Sequence, residues 1–459
     1  MKPIGRARVL SVIAVASTLP LAGVPAMAAA GMNPTATSGQ LWVARYNGSS
    51  NGADEASAVR VSGDGTHVYV TGSSWGGLPS AGGTGTDYAT VAYNTSGHTL
   101  WVRRYNGPGN QADTATAEAV GPGRLYVTGW STGTDSGRDF ETLAYSSTGT
   151  LMWAQRFNGP GSGDDAATTI AASPDGSKVF VSGPATDVGG QTVYETIAYG
   201  SDGSQLWSAD LGPNTDGPSY LAVSPDGMRV YLTGGLAPNV FVTAAYDAST
   251  GTKIWTADFV PATRRYPLDE ANPTSIAVGS DGTTVAVTGG GCISCDEGAE
   301  WSAATVAYTS DGDLEWSRFE QGSDANSVAV APKRTTVYSA GDIGYYCPEI
   351  YAFGGPKGTV LWEREPCHPG SIAAIVAGPG GNNVFATGFT GSYYDSYLTV
   401  RFTTAGALVW ARFYNGPGNG FGGATSIALS PDGTRIYVTG ADTGSRSKED
   451  YATVAYSAA

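Results

Sequence analysis

Acidic and aromatic side chains recur at matching positions of the sequence and are the first candidates for binding chemistry. Asp87 and Asp139 begin the similar runs "DYATVAY" and "DFETLAY", and Trp75 and Trp130 each follow a "VTG" run. Aromatic faces pack on the C–H surfaces of sugars, and carboxylates accept hydrogen bonds from hydroxyl groups. The candidate ligand-binding residues are Trp75, Trp130, Asp87, Asp139, Arg264, Arg265, Tyr266, Tyr393 and Tyr394.

The same residue types allow other chemistry. A polar rim capped by aromatics needs no ligand, and two or more Asp/Asn loops could share a Ca²⁺, although their spacing is not that of an EF-hand. Two carboxylates could hydrolyse a glycosidic bond, but no pair stands out. The chain has three His, which leaves little material for a His-centred metal site or a Ser-His-Asp triad. We therefore expect no catalytic residue and no cofactor, with Ca²⁺ as the open alternative.

Four cysteines remain for covalent or metal chemistry. Cys347 and Cys367 flank a predicted hairpin centred near residue 357, which would place them opposite each other at disulfide distance. Cys292 and Cys295, in "CISC", are expected to pair locally. A redox CxxC and a four-Cys Zn²⁺ site are the alternatives, but the strand-to-helix setting of a redox motif is missing.

The N-terminus has the pattern of a cleaved secretory signal. Residues 1–28 contain a basic start, an apolar run and a small-x-small site at Ala26–Ala28, so we expect a secreted, extracellular protein. Beyond residue 28 the chain has 22 basic and 40 acidic residues, a net charge of −18. This charge argues against nucleic acid or anionic lipid as partners and favours cations. No other long apolar run exists, so we expect no membrane span, and we expect a monomer.

An internal repeat of about 50 residues determines the architecture. A Trp within a short apolar run recurs eight times, and so does a "VTG"-like run. Each unit contains four strand-like runs, A to D, separated by turns such as "SPDG" and "NTSG". A parallel β-solenoid would need shorter coils. The repeat therefore predicts an all-β fold, an eight-bladed β-propeller of four-stranded antiparallel blades, with each Trp packed between neighbouring blades.

The two ends of the chain complete one blade. The chain enters with a D strand, Leu41–Tyr46, and ends with a C strand, Tyr451–Tyr456, so the N-terminal strand should close the last blade. We expect a signal peptide at 1–28, a short linker at 29–40 and a single propeller domain at 41–459. The A–B and C–D turns are short, whereas the B–C and D–A loops are long and varied. We call the side with the B–C and D–A loops the long-loop face and place any site there.

The runs "DYATVAYNTSG", "LWVRRYNGPGN" and "SPDGTRIYVTG" resemble a bacterial β-propeller repeat family, the SBBP-type repeats, over essentially the whole chain beyond the signal. "SPDGTRIYVTG" is also similar to YVTN-type propellers, and "YDASTGTKIW" at Tyr246–Trp255 to the C–D hairpin of quinoprotein propellers. The chain departs from the first family in having eight units, not seven. The resemblance implies the fold, but no one activity, because propellers host many functions.

The regular repeat with variable loops on one side favours a non-catalytic binding or scaffold module for a glycan or protein ligand. The first alternative is a quinoprotein-like oxidoreductase, in which Arg264 and Arg265 would bind the carboxylates of a quinone beside a Ca²⁺. The second is a carboxylate-based hydrolase or lyase acting on polysaccharide.

Overall fold

The computed structural model describes residues 39–459 except 79–81, 214, 238, 262–268, 294–299, 333–335, 344–346, 367–369, 392–395, 419 and 445–447. Every regular element in this part of the chain is a β-strand. Across these residues no helix has the length and hydrophobicity needed to span a lipid bilayer. The strands form eight antiparallel sheets of four strands each, which confirms the predicted eight-bladed propeller.

Blades 1 to 4 follow one another along the chain after the first strand. Their strands run in the order A, B, C, D within each sheet. The strands are β1 (Gln40–Tyr46), β2 (Asp54–Val61), β3 (His67–Trp75), β4 (Thr86–Asn94), β5 (Thr99–Tyr105), β6 (Asp113–Gly121), β7 (Arg124–Thr132), β8 (Arg138–Ser146), β9 (Leu151–Phe157), β10 (Thr169–Ala172), β11 (Lys178–Thr186), β12 (Thr192–Gly200), β13 (Gln205–Pro213), β14 (Thr215–Val223), β15 (Arg229–Leu236), β16 (Val240–Asp247) and β17 (Lys253–Phe259).

Blades 5 to 8 repeat the same order, and blade 8 takes its D strand from β1. Their other strands are β18 (Asp269–Val278), β19 (Thr284–Ile293), β20 (Glu300–Thr309), β21 (Leu314–Gln321), β22 (Ser323–Val330), β23 (Val337–Ile343), β24 (Cys347–Gly354), β25 (Thr359–Arg364), β26 (Gly370–Ala377), β27 (Asn383–Thr390), β28 (Ser396–Thr403), β29 (Leu408–Tyr414), β30 (Gly422–Leu429), β31 (Arg435–Thr443) and β32 (Glu449–Ser457). The A strands of all eight blades contact one another in a closed circle, so they form the inner ring of the propeller.

The N-terminal strand closes the ring as predicted. β1 pairs with β32 in antiparallel register from Gln40 opposite Tyr456 to Tyr46 opposite Tyr451. The first and last strands of the described chain are therefore held in one sheet, and blade 8 has four strands like every other blade. Closure of this kind removes the need for a capping repeat at either end.

A Trp on each D strand links its blade to the next one. At seven blade interfaces among the described residues, the indole N–H donates to a backbone carbonyl of the next blade at 2.9–3.2 Å. In most cases the acceptor lies in the C–D turn, as with Trp101 and Ser147 O. The C–D turn glycine packs directly on the ring: a Cβ on Gly149 would lie 2.6 Å from Trp101 Cδ2. The predicted inter-blade role of the Trp series is thus confirmed.

Two further sets of hydrogen bonds join neighbouring blades, and both lie closer to the centre of the propeller than the Trp residues do. At the inner ring, an A-strand hydroxyl donates to an A-strand carbonyl of the next blade, as from Ser57 to Ala115 O at 3.0 Å. In the middle of some blades, a C-strand Tyr donates to the next blade, as from Tyr88 to Glu141 O at 3.1 Å. Closure uses the same contacts, because Thr425 donates to Ala56 O at 2.9 Å. The last interface is therefore built like the others.

The apolar core is divided among the blade interfaces. Buried side chains form eight clusters, and each cluster joins two neighbouring blades. In the cluster between blades 2 and 3, for example, Tyr126 packs with Ile170 and Tyr199. Burying one such large side chain contributes about 2–3 kcal/mol, so each interface depends on both of its blades.

The "SPDG" aspartates act as turn formers. Asp175 accepts hydrogen bonds from the Ser173 hydroxyl at 2.6 Å and from the Ser177 backbone N–H at 3.0 Å. Gly176 follows with a φ of 70°, which suits glycine. These hydrogen bonds lower the pKa of the Asp175 carboxyl to about 2. The carboxylate therefore stabilises the hairpin and needs no metal ion.

Replacing Gly149 by Ala tests the Trp layer, with Gly190→Ala as the matched control. Both glycines have positive φ, 79° and 74°, but a Cβ on Gly190 would meet nothing within 4 Å. We expect Gly190→Ala to lower the free energy of unfolding by about 1 kcal/mol through backbone strain alone. Gly149→Ala should lower it by about 3 kcal/mol because the methyl group also displaces Trp101. Urea denaturation measures both, and equal losses would contradict the proposed packing.

Candidate functional site

The carboxylates predicted for the long-loop face are engaged by arginines of their own blades. In blade 1, Arg104 on β5 forms an ion pair of 2.7 Å with Asp87 and also donates to Ser74. In blade 2, Arg156 on β9 pairs with Asp139. Both aspartates are buried, and Asp139 has no exposed surface. The structure therefore gives Asp87 and Asp139 a role inside the blade and not at an open rim.

Blade 8 contains the same arrangement across the chain ends. Arg45 on β1 pairs with Asp442 and, at 3.1 Å, with Asp450 on β32. It also donates to the Tyr414 hydroxyl at 3.2 Å. In all three blades the Arg lies three residues after the Trp of the D strand. This spacing is the signal in the sequence that identifies the partners of the aspartates.

In blades 1 to 3, a second set of aspartates joins the D–A loop to the following B strand. Asp113 is fully buried and accepts hydrogen bonds from the Gly107 N–H at 2.6 Å and the Thr132 N–H at 3.0 Å. Asp54 and Asp165 make the same pair of contacts in blades 1 and 3. These carboxylates bind backbone N–H groups, so the Ca²⁺ that two such loops could share is not needed to satisfy them.

The aromatic candidates Trp75 and Trp130 belong to strands and not to loops. β3 ends at Trp75, which pairs with Thr86 of β4, and β7 continues past Trp130, which lies between Thr114 and Phe140. Gly52 packs on the Trp75 ring. The guanidinium of Arg138 covers the Trp130 ring at 4.1 Å. Both rings are half-buried, so they offer a sugar less free surface than the sequence suggested.

Several predicted site residues cannot be placed. Arg264, Arg265, Tyr266, Tyr393 and Tyr394 lie outside the described residues. Their role in ligand binding therefore stays a prediction.

The predicted Cys347–Cys367 disulfide is wrong, because Cys347 is a free, exposed cysteine. The prediction assumed that the C–D ladder continues to Cys347. The ladder instead ends at Ile350 opposite Arg364, and Cys347 is paired with Ile343 of β23. Cys292 is disulfide-bonded. Cys295 and Cys367 lie outside the described residues, so the pairing of Cys292 with Cys295 stays a prediction.

Glu118 is a buried carboxyl that the sequence analysis missed. It lies on β6 between blades 1 and 2, and neither side-chain oxygen has a hydrogen-bond partner among the described residues. Burial raises the pKa of Glu118 to about 8, so the group is mostly neutral at neutral pH. Aligning the A strands would have revealed it, because the other seven blades have aliphatic residues there: Val59, Ile170, Leu221, Ile276, Val328, Ile375 and Ile427.

Exposed aliphatic side chains recur on the outer strands. The residue before the D-strand Trp is aliphatic in seven of the eight blades, and each of these side chains is 45–54% exposed. D strands are the outer edges of their sheets and present unpaired backbone groups there. The seven side chains are Leu41, Leu100, Met152, Leu206, Ile254, Leu361 and Val409.

Arginines protect some of these edges but not others. Arg103 in blade 1 donates to Gly149 O of the next blade at 2.6 Å and to Val102 O of its own strand at 2.8 Å. Arg318 and Arg364 make equivalent contacts in blades 5 and 6. In blades 3 and 4 the corresponding residues are Ala209 and Ala257. The outer edges of β13 and β17 therefore lack this arginine cap.

Negative charge is concentrated in the same part of the ring. Residues 159–366, which include blades 3 to 6, contain 10 basic and 26 acidic residues, a net charge of −16. The remainder of the chain beyond residue 28 has 12 basic and 14 acidic residues, a net charge of −2. Asp210 and Asp258 occupy the positions of Arg104 and Arg156 on the outer strands of blades 3 and 4, and both are exposed. These edges therefore favour a cationic ligand.

Comparison with known proteins finds a partial family match and several structures of the same fold. A family model described as outer membrane protein assembly factor BamB matches residues 239–420, less than half of the chain. The quinohemoprotein alcohol dehydrogenase from Comamonas testosteroni has a similar structure, with a TM-score of 0.53 and 12% identity over 92% of this chain and 76% of that chain. The chain is an eight-bladed β-propeller repeat protein, and it shares this fold with the quinohemoprotein enzyme. No curated protein matches its sequence.

Propellers of other kinds are similar to this repeat protein to the same degree. The Dos1 propeller has a TM-score of 0.55 and 12% identity, over 91% of this chain and 96% of that chain. The C-terminal WD40 domain of Sif2 has a TM-score of 0.54 and 11% identity, over 91% and 97%. At such low identity these likenesses show the fold alone, and the function must be argued from this chain's own residues.

The internal role of Asp139 predicts a loss of stability when its charge is removed. We expect Asp139→Asn to lower the free energy of unfolding by about 3 kcal/mol, because Arg156 then loses the nearer of its two carboxylate partners and keeps only Glu141 at 3.8 Å. Asp135→Asn is the control, since Asp135 is exposed in the same B–C loop and its replacement should change stability by less than about 0.5 kcal/mol. Chemical denaturation compares the two variants. If Asp139→Asn were as stable as the parent protein, the ion pair would not hold the blade together.

Proposed function

We propose that this propeller is an exported, non-catalytic binding scaffold that takes up an extended, cationic polypeptide along the outer edges of blades 3 and 4. The observation that carries the proposal is the pair of uncapped, acidic strand edges at β13 and β17. A polypeptide can add as a further strand to such an edge through main-chain hydrogen bonds, with alternate side chains giving specificity.

The side chains on these two edges alternate in the way that strand addition requires. Leu206, Ser208 and Asp210 are exposed on β13, whereas Trp207 and Ala209 between them face the protein. β17 presents Ile254, Thr256 and Asp258 in the same pattern. Each edge thus offers an aliphatic contact and, four residues later on the same side of the strand, a carboxylate, which suits a peptide with an apolar and a basic residue four positions apart.

A protein ligand also agrees with the partial family match. The matching model is described as an assembly factor for outer membrane proteins, and residues 239–420 include β17. The predicted signal at 1–28 supports export. The glycan alternative loses support at Asp87, Asp139, Trp75 and Trp130, because each is paired or partly covered within its blade.

A quinoprotein-like oxidoreductase is the second candidate function. It is favoured by the structural likeness to a quinohemoprotein alcohol dehydrogenase. Arg264 and Arg265 would bind the quinone carboxylates. Both lie outside the described residues. Adding the quinone with Ca²⁺ and following dye reduction tests this candidate directly.

Peptide binding to matched variants tests the proposal. The probe is a fluorescein-labelled twelve-residue peptide in which Val and Lys stand four residues apart with Thr between them, measured by fluorescence anisotropy at low and high salt. We expect the double variant Leu206→Thr/Ile254→Thr to bind at least tenfold more weakly than the parent protein, because it loses the aliphatic contact on both edges. Higher salt should weaken binding to the parent protein, since the edges are acidic.

Two control variants distinguish the edges of β13 and β17 from the other strand edges and from the long-loop face. Leu100→Thr/Leu361→Thr changes the same positions on edges capped by Arg103 and Arg364, and Leu78→Thr/Val188→Thr changes exposed residues of the long-loop face. Both should bind the peptide like the parent protein. Loss of binding in the long-loop variant alone would overturn the proposed surface. Glycan binding without peptide binding would overturn the proposed ligand class.

A further inference from the structure

Three glutamates meet at the outer side of blade 6. Glu349 lies on β24, and Glu363 and Glu365 lie on β25 and directly after it. One carboxylate oxygen from each lies within 4.8 Å of the other two. Glu363 and Glu365 are exposed, whereas Glu349 is only 1% exposed. The cluster thus has one buried and two solvent-facing carboxylates.

The buried carboxylate is only partly satisfied by the described protein. Glu349 Oε2 accepts a hydrogen bond from the Ser323 hydroxyl at 2.5 Å. The Tyr351 hydroxyl also interacts with this carboxyl, but the buried Oε1 makes no well-aligned hydrogen bond within the described part of the chain. An unsatisfied buried carboxylate oxygen is costly unless a cation or donor binds it.

Blade 2 shows which side chain lies opposite the equivalent glutamate in another blade. Glu141 occupies the equivalent position on β8 and lies opposite Arg156, with 3.8 Å between the guanidinium and the carboxylate. Arg156 lies three residues after Trp153, and the residue three after Trp362 in blade 6 is Glu365. Where blade 2 brings a positive side chain to its glutamate, blade 6 brings a second carboxylate. The side chain opposite the glutamate is therefore negatively charged in blade 6, whereas it is positively charged in blade 2.

We propose that Glu349, Glu363 and Glu365 form a binding site for a divalent cation, Ca²⁺, on the outer side of blade 6. The site would use hard oxygen ligands completed by water, as Ca²⁺ prefers. Two oxygens bound to one Ca²⁺ at about 2.4 Å can lie up to about 4.8 Å apart, which the cluster satisfies. Mg²⁺ demands shorter bonds and a stricter octahedron, so carboxylate oxygens up to 4.8 Å apart suit it less.

The position of the site suggests what the cation would stabilise. The C–D ladder of blade 6 ends at the pair Ile350 and Arg364. Glu349 on β24 and Glu365 directly after β25 are the next residues beyond that pair. A cation bound there would join the two strands just beyond their last paired residues. The acidic blades 3 to 6 also raise the local concentration of cations. The proposal does not depend on polypeptide binding at blades 3 and 4.

Calorimetry and terbium luminescence test the site in the full chain. After dialysis against EGTA, we expect the protein to bind one Ca²⁺ with a Kd of about 0.1–1 mM, and its Tm to rise with Ca²⁺ concentration. Tb³⁺ replaces Ca²⁺ and should luminesce on excitation of the aromatic side chains, with Ca²⁺ competing the signal away. Glu363→Gln and Glu365→Gln, which change exposed residues, should each weaken Ca²⁺ binding at least tenfold.

Glu315→Gln is the matched control. Glu315 is an exposed glutamate on the D strand of blade 5, so its replacement removes the same charge without touching the cluster. It should leave Ca²⁺ affinity unchanged. The proposal is overturned by an absence of Ca²⁺ binding at 10 mM, by equal weakening in Glu315→Gln, or by Mg²⁺ binding as tightly as Ca²⁺, which would indicate attraction to overall charge.

Discussion

The contact between each D-strand Trp and the next blade is the interaction on which the rest of the structure depends. At six interfaces among the described residues the indole ring packs on a turn glycine and its N–H donates to a backbone carbonyl beside it, as with Trp101, Gly149 and Ser147 O. Each ring contributes about 2–3 kcal/mol by burial and its hydrogen bond about 1 kcal/mol more. Because the contact always joins consecutive blades, a single open interface would leave one Trp and one turn unpaired. The N-terminal strand prevents this by bringing Trp42 to Thr95 O.

Ion pairs inside the blades determine which charged side chains remain free to bind a ligand. In blades 8, 1 and 2, an arginine three residues after the Trp holds the aspartates of the long-loop face inside the blade. In blades 3, 4 and 6 that position is acidic, and most of the negative charge of the chain lies in this part of the ring. The proposed polypeptide edges and the proposed Ca²⁺ site both follow from the same substitution of an acid for an arginine.

The repeat made the architecture predictable from the sequence. The partners of individual side chains could be predicted only in part. Trp spacing gave eight blades, and the lone D strand at Leu41–Tyr46 gave the closure, because both depend on backbone periodicity. The role of Asp87 depends on which side chain faces it across the C–D ladder, and its Arg104 partner is recognisable only after aligning the blades. Counting residues around a hairpin failed for Cys347, since the count cannot tell where a ladder ends.

Removing the closing strand measures the central claim most directly. We expect the chain lacking residues 1–46 to lose at least half of the free energy of unfolding of the chain lacking residues 1–38, as followed by urea denaturation. A synthetic peptide of residues 39–46 should restore most of that loss, and the same peptide with Trp42→Ala should restore much less. An unchanged unfolding midpoint in the shortened chain would contradict closure of the ring by β1.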